Sequence, residues 1–236
     1  MTTHPRRTVL RGAPLGVAGT AAAAMVTGCT DPSSGSSDAS PDTPGSQPGR
    51  GSASAPVAGS AGGTVLLAYF SRAGENYFNG GRRRLTVGNT EVVAGMISRL
   101  IGCDVHRIEA ADPYPDDYEP TVQRNVREQD ANARPRITNP LASLERYITV
   151  MLGSPIWNVR APMLMTTFVE GLDFAGKTVH PLTTHAMSGM GRTERDYTAS
   201  CRGATIRDGL AVRGEEVGDA EPAVEAWLRR IGLLTG

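Results

Sequence analysis

The 236-residue sequence lacks an excess of charge of either sign, since 24 Lys and Arg stand against 24 Asp and Glu. Nucleic-acid binding depends on clustered positive charge, so this balance argues against a nucleic-acid-binding protein. Three cysteines are too few for a disulfide scaffold, and they lack the paired spacing of a zinc site. No apolar run approaches the roughly 20 residues that span a bilayer, which argues against a transmembrane protein. With 39% hydrophobic and 20% charged residues, the composition is typical of a globular protein with a polar appendage.

Residues 1–29 have the order of an export signal. The pair Arg6-Arg7 precedes an uncharged stretch of 15 residues, Gly12–Val26, which fits a signal peptide and is too short to span a membrane. The pair resembles twin-arginine signals, and the following segment, residues 26–29, resembles the lipobox of bacterial lipoproteins. This resemblance implies lipidation at Cys29 and a bacterial protein exported by the twin-arginine route, extracytoplasmic and lipid-anchored to the cell membrane. Cleavage near Ala21–Ala24, which would leave Cys29 as a free thiol, stays open.

Residues 30–62 have the composition of a linker. Of these 33 residues, 25 are Ser, Gly, Pro or Ala, and Val57 is the only large apolar one. Such a segment cannot bury enough apolar surface to offset the entropy lost on ordering, so we expect a disordered tether. The folded domain is therefore predicted to span residues 63–236.

Within that domain, apolar runs alternate with segments of helical spacing. The continuous apolar run Thr64–Phe70 predicts a strand buried on both faces. Further strands are predicted at Cys103–Ile108, Tyr147–Gly153, Thr178–Thr184 and Ala204–Ile206, with helices from about Asn89, around Thr121–Ala131, and at about Pro162–Leu172, Arg192–Arg202 and Glu221–Leu234. This alternation predicts an α/β fold with a single doubly wound, five-stranded parallel sheet. Ligands bind such sheets at the carboxyl ends of strands, so the loops after strands one, three and four are the candidates.

The loop after the first strand contains Ser71–Asn76, then an excursion carrying Arg82–Arg84, then Gly88–Glu91. Hydroxyl groups, a turn permitted by glycine and a helix N-terminus can together bind a phosphate dianion without a lysine. A capped helix after a polar loop is the alternative interpretation. We expect Arg82–Arg84 to form a solvated rim.

The other two loops contain an aromatic residue and a glycine-rich turn. Trp157 follows the third strand between two prolines and suits stacking on a flat aromatic ligand; the alternative is that it folds back into the core. After the fourth strand, His185 precedes a turn with two glycines that let backbone amides approach a ligand. Together with Met187 and Met190, His185 also offers soft ligands for copper, which stays a further alternative.

Taken in order, these segments resemble the flavodoxin-like family, specifically its short-chain bacterial branch. The resemblance is carried by residues 68–72, 88–91, 153–157 and 173–178 and by Thr184-His185 with Ser188-Gly189. It implies strand order 2-1-3-4-5 and non-covalently bound FMN, with the redox chemistry belonging to the flavin and no residue acting as a catalytic acid or nucleophile. Carried over position by position, the implied FMN-binding residues are Ser71, Arg72, Ala73, Asn89, Thr90, Pro155, Ile156, Trp157, Asn158, Thr184, His185, Ser188, Gly189 and Gly191.

The resemblance implies an electron-transfer flavoprotein with an unidentified redox partner, and the family often forms homodimers. Two alternatives stay open: an NAD(P)H-dependent quinone or FMN reductase, and a non-redox binding lipoprotein with a decayed flavin site. With strand order 2-1-3-4-5, Cys103 and Cys201 fall near opposite edges of the sheet. We therefore expect no disulfide between them, since bridged Cα atoms lie within about 7 Å.

Overall fold

The computed structural model describes residues 65–235. The expectations for the export signal, for Cys29 and for the linker concern residues outside this range. No helix within residues 65–235 combines the length and the apolar character needed to cross a membrane.

The centre of the domain is a parallel sheet whose strand order confirms the predicted 2-1-3-4-5 arrangement. Its six strands are β1 (Val65–Tyr69), β4 (Asp104–Arg107), β5 (Thr149–Pro155), β6 (Thr178–His185), β7 (Thr205–Ile206) and β8 (Leu210–Arg213). Strand β4 pairs with β1, which pairs with β5, which in turn pairs with β6. The predicted fifth strand is β7, and the additional strand β8 pairs with β6 further along the same edge. The gap between β7 and β8 faces Pro181, which has no N–H to donate to a neighbouring strand.

Helices cover both faces of the sheet, as the continuous apolar runs require. The helices are α1 (Asn89–Leu100), α2 (Tyr118–Asp130), α3 (Met163–Glu170), α4 (Thr193–Ser200) and α5 (Glu221–Arg230), with a 3₁₀ helix at Gly214–Asp219. Side chains of β1 alternate between two hydrophobic clusters: Leu66 joins the one that contains residues of α3 and α4, and Leu67 joins the one that contains residues of α1 and α5. Helix α5 ends before the predicted Leu234, because Gly232 has a φ of 77° and the N–H of Leu233 donates to the Leu228 carbonyl.

The excursion after β1 is an antiparallel hairpin that the sequence analysis did not predict. Its strands are β2 (Gly74–Phe78) and β3 (Gly81–Leu85). Asn79 and Gly80 connect them with φ values of 46° and 83°. Positive φ at both central residues is what a two-residue type I′ hairpin turn requires, and Asn-Gly is its strongest sequence signal. The signal was therefore present in the sequence.

The two described cysteines lie at opposite edges of the sheet, in agreement with the strand order. Cys103 immediately precedes β4, and Cys201 lies shortly before β7; both are free thiols. Four strand spacings separate these edges, or about 19 Å, well beyond the reach of a disulfide. Burial raises the pKa of Cys103 to about 11 and that of Cys201 to about 12, so both thiols stay protonated at neutral pH.

Candidate functional site

A cavity of about 680 Å³ opens at the carboxyl ends of β1, β5 and β6, within the usual size range of small-molecule sites. The three loops singled out from the sequence meet there. Predicted residues that line it are Ser71, Arg72, Asn89, Thr90, Pro155, Ile156, Trp157, Asn158, Thr184, His185 and Ser188. Ala73, Gly189 and Gly191 are not among the lining residues.

One part of the cavity wall is the N-terminus of α1. The Ser71 hydroxyl oxygen accepts the Glu91 N–H at 3.1 Å, which leaves the hydroxyl proton free to donate. Gly88 brings the loop this close to the helix: a Cβ at this position would lie 2.5 Å from the Arg72 carbonyl oxygen and closer still to the Ser71 hydroxyl. The N–H groups of Asn89 and Thr90, in the first turn, have no intrahelical partner. This combination of donors suits an anion.

Two buried hydroxyl groups join this wall to the end of β6. Thr90 Oγ1 and Thr184 Oγ1 are 2.8 Å apart, and both side chains are buried. One of the two hydroxyls donates to the other, so one proton remains available for a ligand.

The structure gives Arg72 a different set of partners from the predicted phosphate group. Its Nη1 donates to the carbonyls of Pro115 at 2.8 Å and Asp116 at 3.0 Å, and its Nη2 donates to the Glu75 carbonyl. Burial lowers the pKa of Arg72, and the nearby carboxylates of Asp116 and Glu75 oppose that shift. The guanidinium therefore holds the loop after β1 against the segment that precedes α2.

Trp157 is half-buried, so it neither folds fully into the core nor stands free for a ligand, the two interpretations that the sequence left open. Its ring makes edge contacts with Phe70 and Tyr114, at centroid distances of 5.7 and 4.9 Å, while it also lines the cavity. The next two residues, Asn158 and Val159, have φ values of 50° and 64°, and the Trp157 N–H donates to the Arg160 carbonyl at 2.8 Å. A tight turn and core contacts thus fix the position of the indole.

The glycines after β6 shape their loop from outside the cavity. The Gly189 carbonyl accepts the Thr183 hydroxyl at 3.1 Å. A Cβ on Gly191 would lie 3.0 Å from the Val159 carbonyl carbon, and the Arg192 N–H donates to the Val159 carbonyl at 2.8 Å. The loop after β6 is therefore held directly against the turn that follows Trp157.

His185 ends β6 and lines the cavity with its Nδ1 buried and without a hydrogen-bond partner. Burial, followed by the charge of Arg213, lowers the pKa of His185, so the imidazole is neutral at pH 7. The two methionines weighed with it have different surroundings: Met187 is 79% exposed, and Met190 lies beside Gly209. Within residues 65–235, no group of three or more His, Cys, Asp or Glu side chains is placed to hold a metal ion.

Three further segments line the cavity and were missed from the sequence. They contribute Asn76, Tyr77 and Arg82 from the hairpin, Tyr118, Thr121, Val122, Asn125 and Val126 from α2, and Gly214 and Glu215 after β8. Within the loops already singled out, Val159, Ala186 and Met187 also line it. The α2 residues recur at helical spacing on one face, which the sequence could have revealed. Arg82–Arg84 are exposed, as expected of a solvated rim, and Arg82, with its side chain 37% exposed, also lines the cavity.

Comparison with known proteins identifies the family of this fold. A family model described as flavodoxin matches residues 83–231, more than half of the 236 residues. A provisionally named flavoprotein from Bacteroides uniformis ATCC 8492 is 28% identical, with a TM-score of 0.58, and the match covers 71% of this chain and 99% of that chain. A second, from Bacteroides eggerthii DSM 20697, is 27% identical, with a TM-score of 0.57 and coverage of 71% and 97%. No curated protein sequence matches the chain.

Proposed function

The chain belongs to the flavodoxin family, and from that premise we propose that it binds FMN in the cavity and transfers electrons. The Ser71 hydroxyl and the N–H groups of Asn89 and Thr90 form a set of donors at the N-terminus of α1, which we call the anion cradle. The observation that carries the proposal is that this cradle and the half-buried Trp157 ring line one cavity. A mononucleotide of a flat aromatic ring needs both features. The two Bacteroides proteins, which are named as flavoproteins, support a flavin as the ligand.

The lining residues fit the parts of FMN. The Ser71 hydroxyl and the N–H groups of Asn89 and Thr90 would hold the phosphate. Gly88 leaves room at this turn that any larger side chain at position 88 would fill. Trp157 would stack on the isoalloxazine ring. The unpartnered Nδ1 of neutral His185 would pair with a polar edge of the ring, which accounts for an otherwise unsatisfied buried nitrogen. When bound, FMN supplies the redox chemistry, and the protein supplies binding and orientation.

An NAD(P)H-dependent quinone reductase on the same fold is the second candidate, because apolar side chains surround the mouth of the cavity. Four exposed apolar side chains line the cavity: Val122, Val126, Val159 and Met187. Such a rim would receive an apolar substrate. A non-redox binding role would be favoured if Trp157 were buried away from the cavity. Trp157 lines the cavity, so this role has no comparable support.

The test is an absorbance and reduction experiment on the purified full chain. We expect a two-band flavin spectrum after loading with FMN and gel filtration, and bleaching on reduction by dithionite. Rapid bleaching by NADPH, followed by recovery when a quinone is added, would favour the reductase. A colourless protein after loading with excess FMN would exclude both.

We further propose export by the twin-arginine route and a lipid anchor at Cys29, from the order of the N-terminal segments in the sequence. Cys29→Ser should release the protein from the membrane fraction, and Arg6→Lys with Arg7→Lys should retain it in the cytoplasm. Membrane association that persists in the Cys29→Ser variant would contradict the anchor.

A further inference from the structure

Arg82 is a positive side chain at the cavity whose carboxylate partner is exposed to water. Within residues 65–235, the arginines that line the cavity are Arg72 and Arg82. Nη1 and Nη2 of Arg72 donate to backbone carbonyls, and only its buried Nε has no hydrogen-bond partner. The guanidinium carbon of Arg82 lies 3.5 Å from the ring centroid of Tyr118, and its Nη2 lies 3.0 Å from Glu119 Oε1. The Glu119 side chain is 68% exposed, so this ion pair is screened by water and easily exchanged.

The hairpin that carries Arg82 rises from the loop that holds the anion cradle. Its two ends meet at the cradle, since a Cβ on Gly88 would lie 2.5 Å from the Arg72 carbonyl oxygen. At its base, Glu75 donates its N–H to the Asp116 carbonyl at 2.6 Å and accepts the Tyr118 N–H on its carboxylate at 3.1 Å. Tyr118 is therefore fixed beside the base of the hairpin, and Arg82 stacks on it where both side chains line the same cavity as the cradle.

The tip of the hairpin is held from the other side of the cavity. The Asn79 N–H donates to Glu215 Oε1 at 3.2 Å, and Glu215 itself lines the cavity after β8. The hairpin is thus held at its base and at its tip, and Asn76, Tyr77 and Arg82 line the cavity. Tyr77 and Arg82 are cross-strand partners, so their side chains share one face of the hairpin.

We propose that Arg82 leaves Glu119 and pairs with the terminal phosphate of FMN, and so makes the site selective for the phosphorylated flavin. This inference rests on the proposed function. The donors of the cradle itself are neutral N–H and O–H groups, and Arg72 offers only its Nε, whereas a phosphate carries up to two negative charges. A guanidinium pairs with phosphate through two parallel hydrogen bonds, which are stronger than its contact with one exposed carboxylate.

Arg83 supplies a matched control. It is the neighbouring residue of the same type, it points to the opposite face of β3 with its guanidinium 3.6 Å from the ring centroid of Phe78, and it is not among the lining residues. Arg82→Gln and Arg83→Gln remove the same charge from the same hairpin, so a general electrostatic effect would weaken FMN binding equally in both variants.

The experiment measures dissociation constants of FMN and riboflavin for the full chain and both variants by fluorescence titration. Arg82→Gln should weaken FMN binding by about tenfold or more and riboflavin binding by less than about twofold, because a charged hydrogen bond to the phosphate is lost. Arg83→Gln should leave both constants unchanged. Equal effects of the two variants on FMN, or equal losses of FMN and riboflavin in Arg82→Gln, would overturn the inference while flavin binding stood.

A second variant keeps the test decisive if Arg82→Gln does not fold. Glu119→Gln removes the competing carboxylate, and Glu119 is not among the lining residues. FMN binding should tighten, with riboflavin unaffected, and an unchanged FMN constant would contradict the inference. Failure of the wild-type chain to bind either flavin would instead exclude the proposed function itself.

Discussion

Alanine substitution should change the free energy of unfolding in opposite directions at Gly88, the N-cap of helix α1, and at Gly95, in the helix interior. Gly88 is the N-cap and has a φ of −70°, which alanine adopts freely, so the backbone conformation is not the obstacle. The obstacle is space, since the new Cβ would lie 2.5 Å from the Arg72 carbonyl oxygen. Gly95 lies in the interior of the same helix, and its Cβ would meet only Arg99 Nη1, at an ordinary 3.6 Å.

The expected magnitudes follow from these contacts. Forcing a methyl group against fixed backbone costs about 1–3 kcal/mol, so Gly88→Ala should lower the free energy of unfolding by about that amount. Gly95→Ala should raise it by about 0.5–1 kcal/mol, because alanine loses less conformational freedom in a helix than glycine does. The two variants should therefore differ by about 1.5–4 kcal/mol.

Urea unfolding of the full chain and both variants, followed by circular dichroism, measures this difference. Because Gly88→Ala displaces the Ser71 hydroxyl from the start of α1, this variant should also bind FMN more weakly than wild type, whereas Gly95→Ala should bind it normally. Equal stability of the two variants would refute the claim that Gly88 is required for close approach at the cradle.

Three other substitutions test the neighbouring parts of the site. Thr90→Val should lower the free energy of unfolding by about 1–3 kcal/mol, because it leaves the buried Thr184 hydroxyl unpaired. The double variant Thr90→Val with Thr184→Val should lose less stability than the sum of the two single variants. Additive losses in urea titrations would argue against a hydrogen bond between the two hydroxyls. Val159→Gly should raise the free energy of unfolding by about 0.5–1 kcal/mol, since a β-branched residue at a φ of 64° is strained by more than the extra freedom of glycine costs; a lower melting temperature would count against this. Burial lowers the pKa of His185 below its ordinary value of 6.5 in the folded protein. As the pH drops, this histidine is therefore protonated in the unfolded chain before it is protonated in the folded one, so the free energy of unfolding should fall below about pH 6.5. Thermal melts from pH 8 to 5 should show a smaller fall in His185→Asn, and an unchanged pH profile would contradict the assignment.

The strands of the sheet were predictable because each is a short apolar run, a pattern that a strand buried on both faces requires. The run at Thr64–Phe70 predicted β1 to within one residue at each end, at Val65–Tyr69. Strand β8 escaped prediction because Leu210–Arg213 is only four residues long and half exposed. Its place in the sheet depends on the interruption at Pro181 of β6, a contact between segments distant in sequence.

The predicted site residues came from loops at the carboxyl ends of strands, where the fold itself locates ligands. The loop sequences did not show which groups each arginine side chain would contact. Both Arg72 and Arg82, ten residues later, line the cavity, but Arg72 donates to three backbone carbonyls, whereas Arg82 stacks on Tyr118 and pairs with an exposed carboxylate. That distinction depends on where the hairpin folds and on what Tyr118 and Glu119 offer it, which are tertiary contacts.

The measurement that tests the central claim most directly is a fluorescence titration of the wild-type chain and a Trp157→Phe variant with FMN. Trp227, the other tryptophan, is fully buried in the cluster with α1 and α5 and serves as an internal reference. Binding of FMN beside Trp157 should quench the wild-type emission saturably, with one flavin bound per chain, and most of that quenching should be absent in Trp157→Phe. Emission that does not respond to excess FMN, or equal saturable quenching in both proteins, would contradict a flavin site at this cavity.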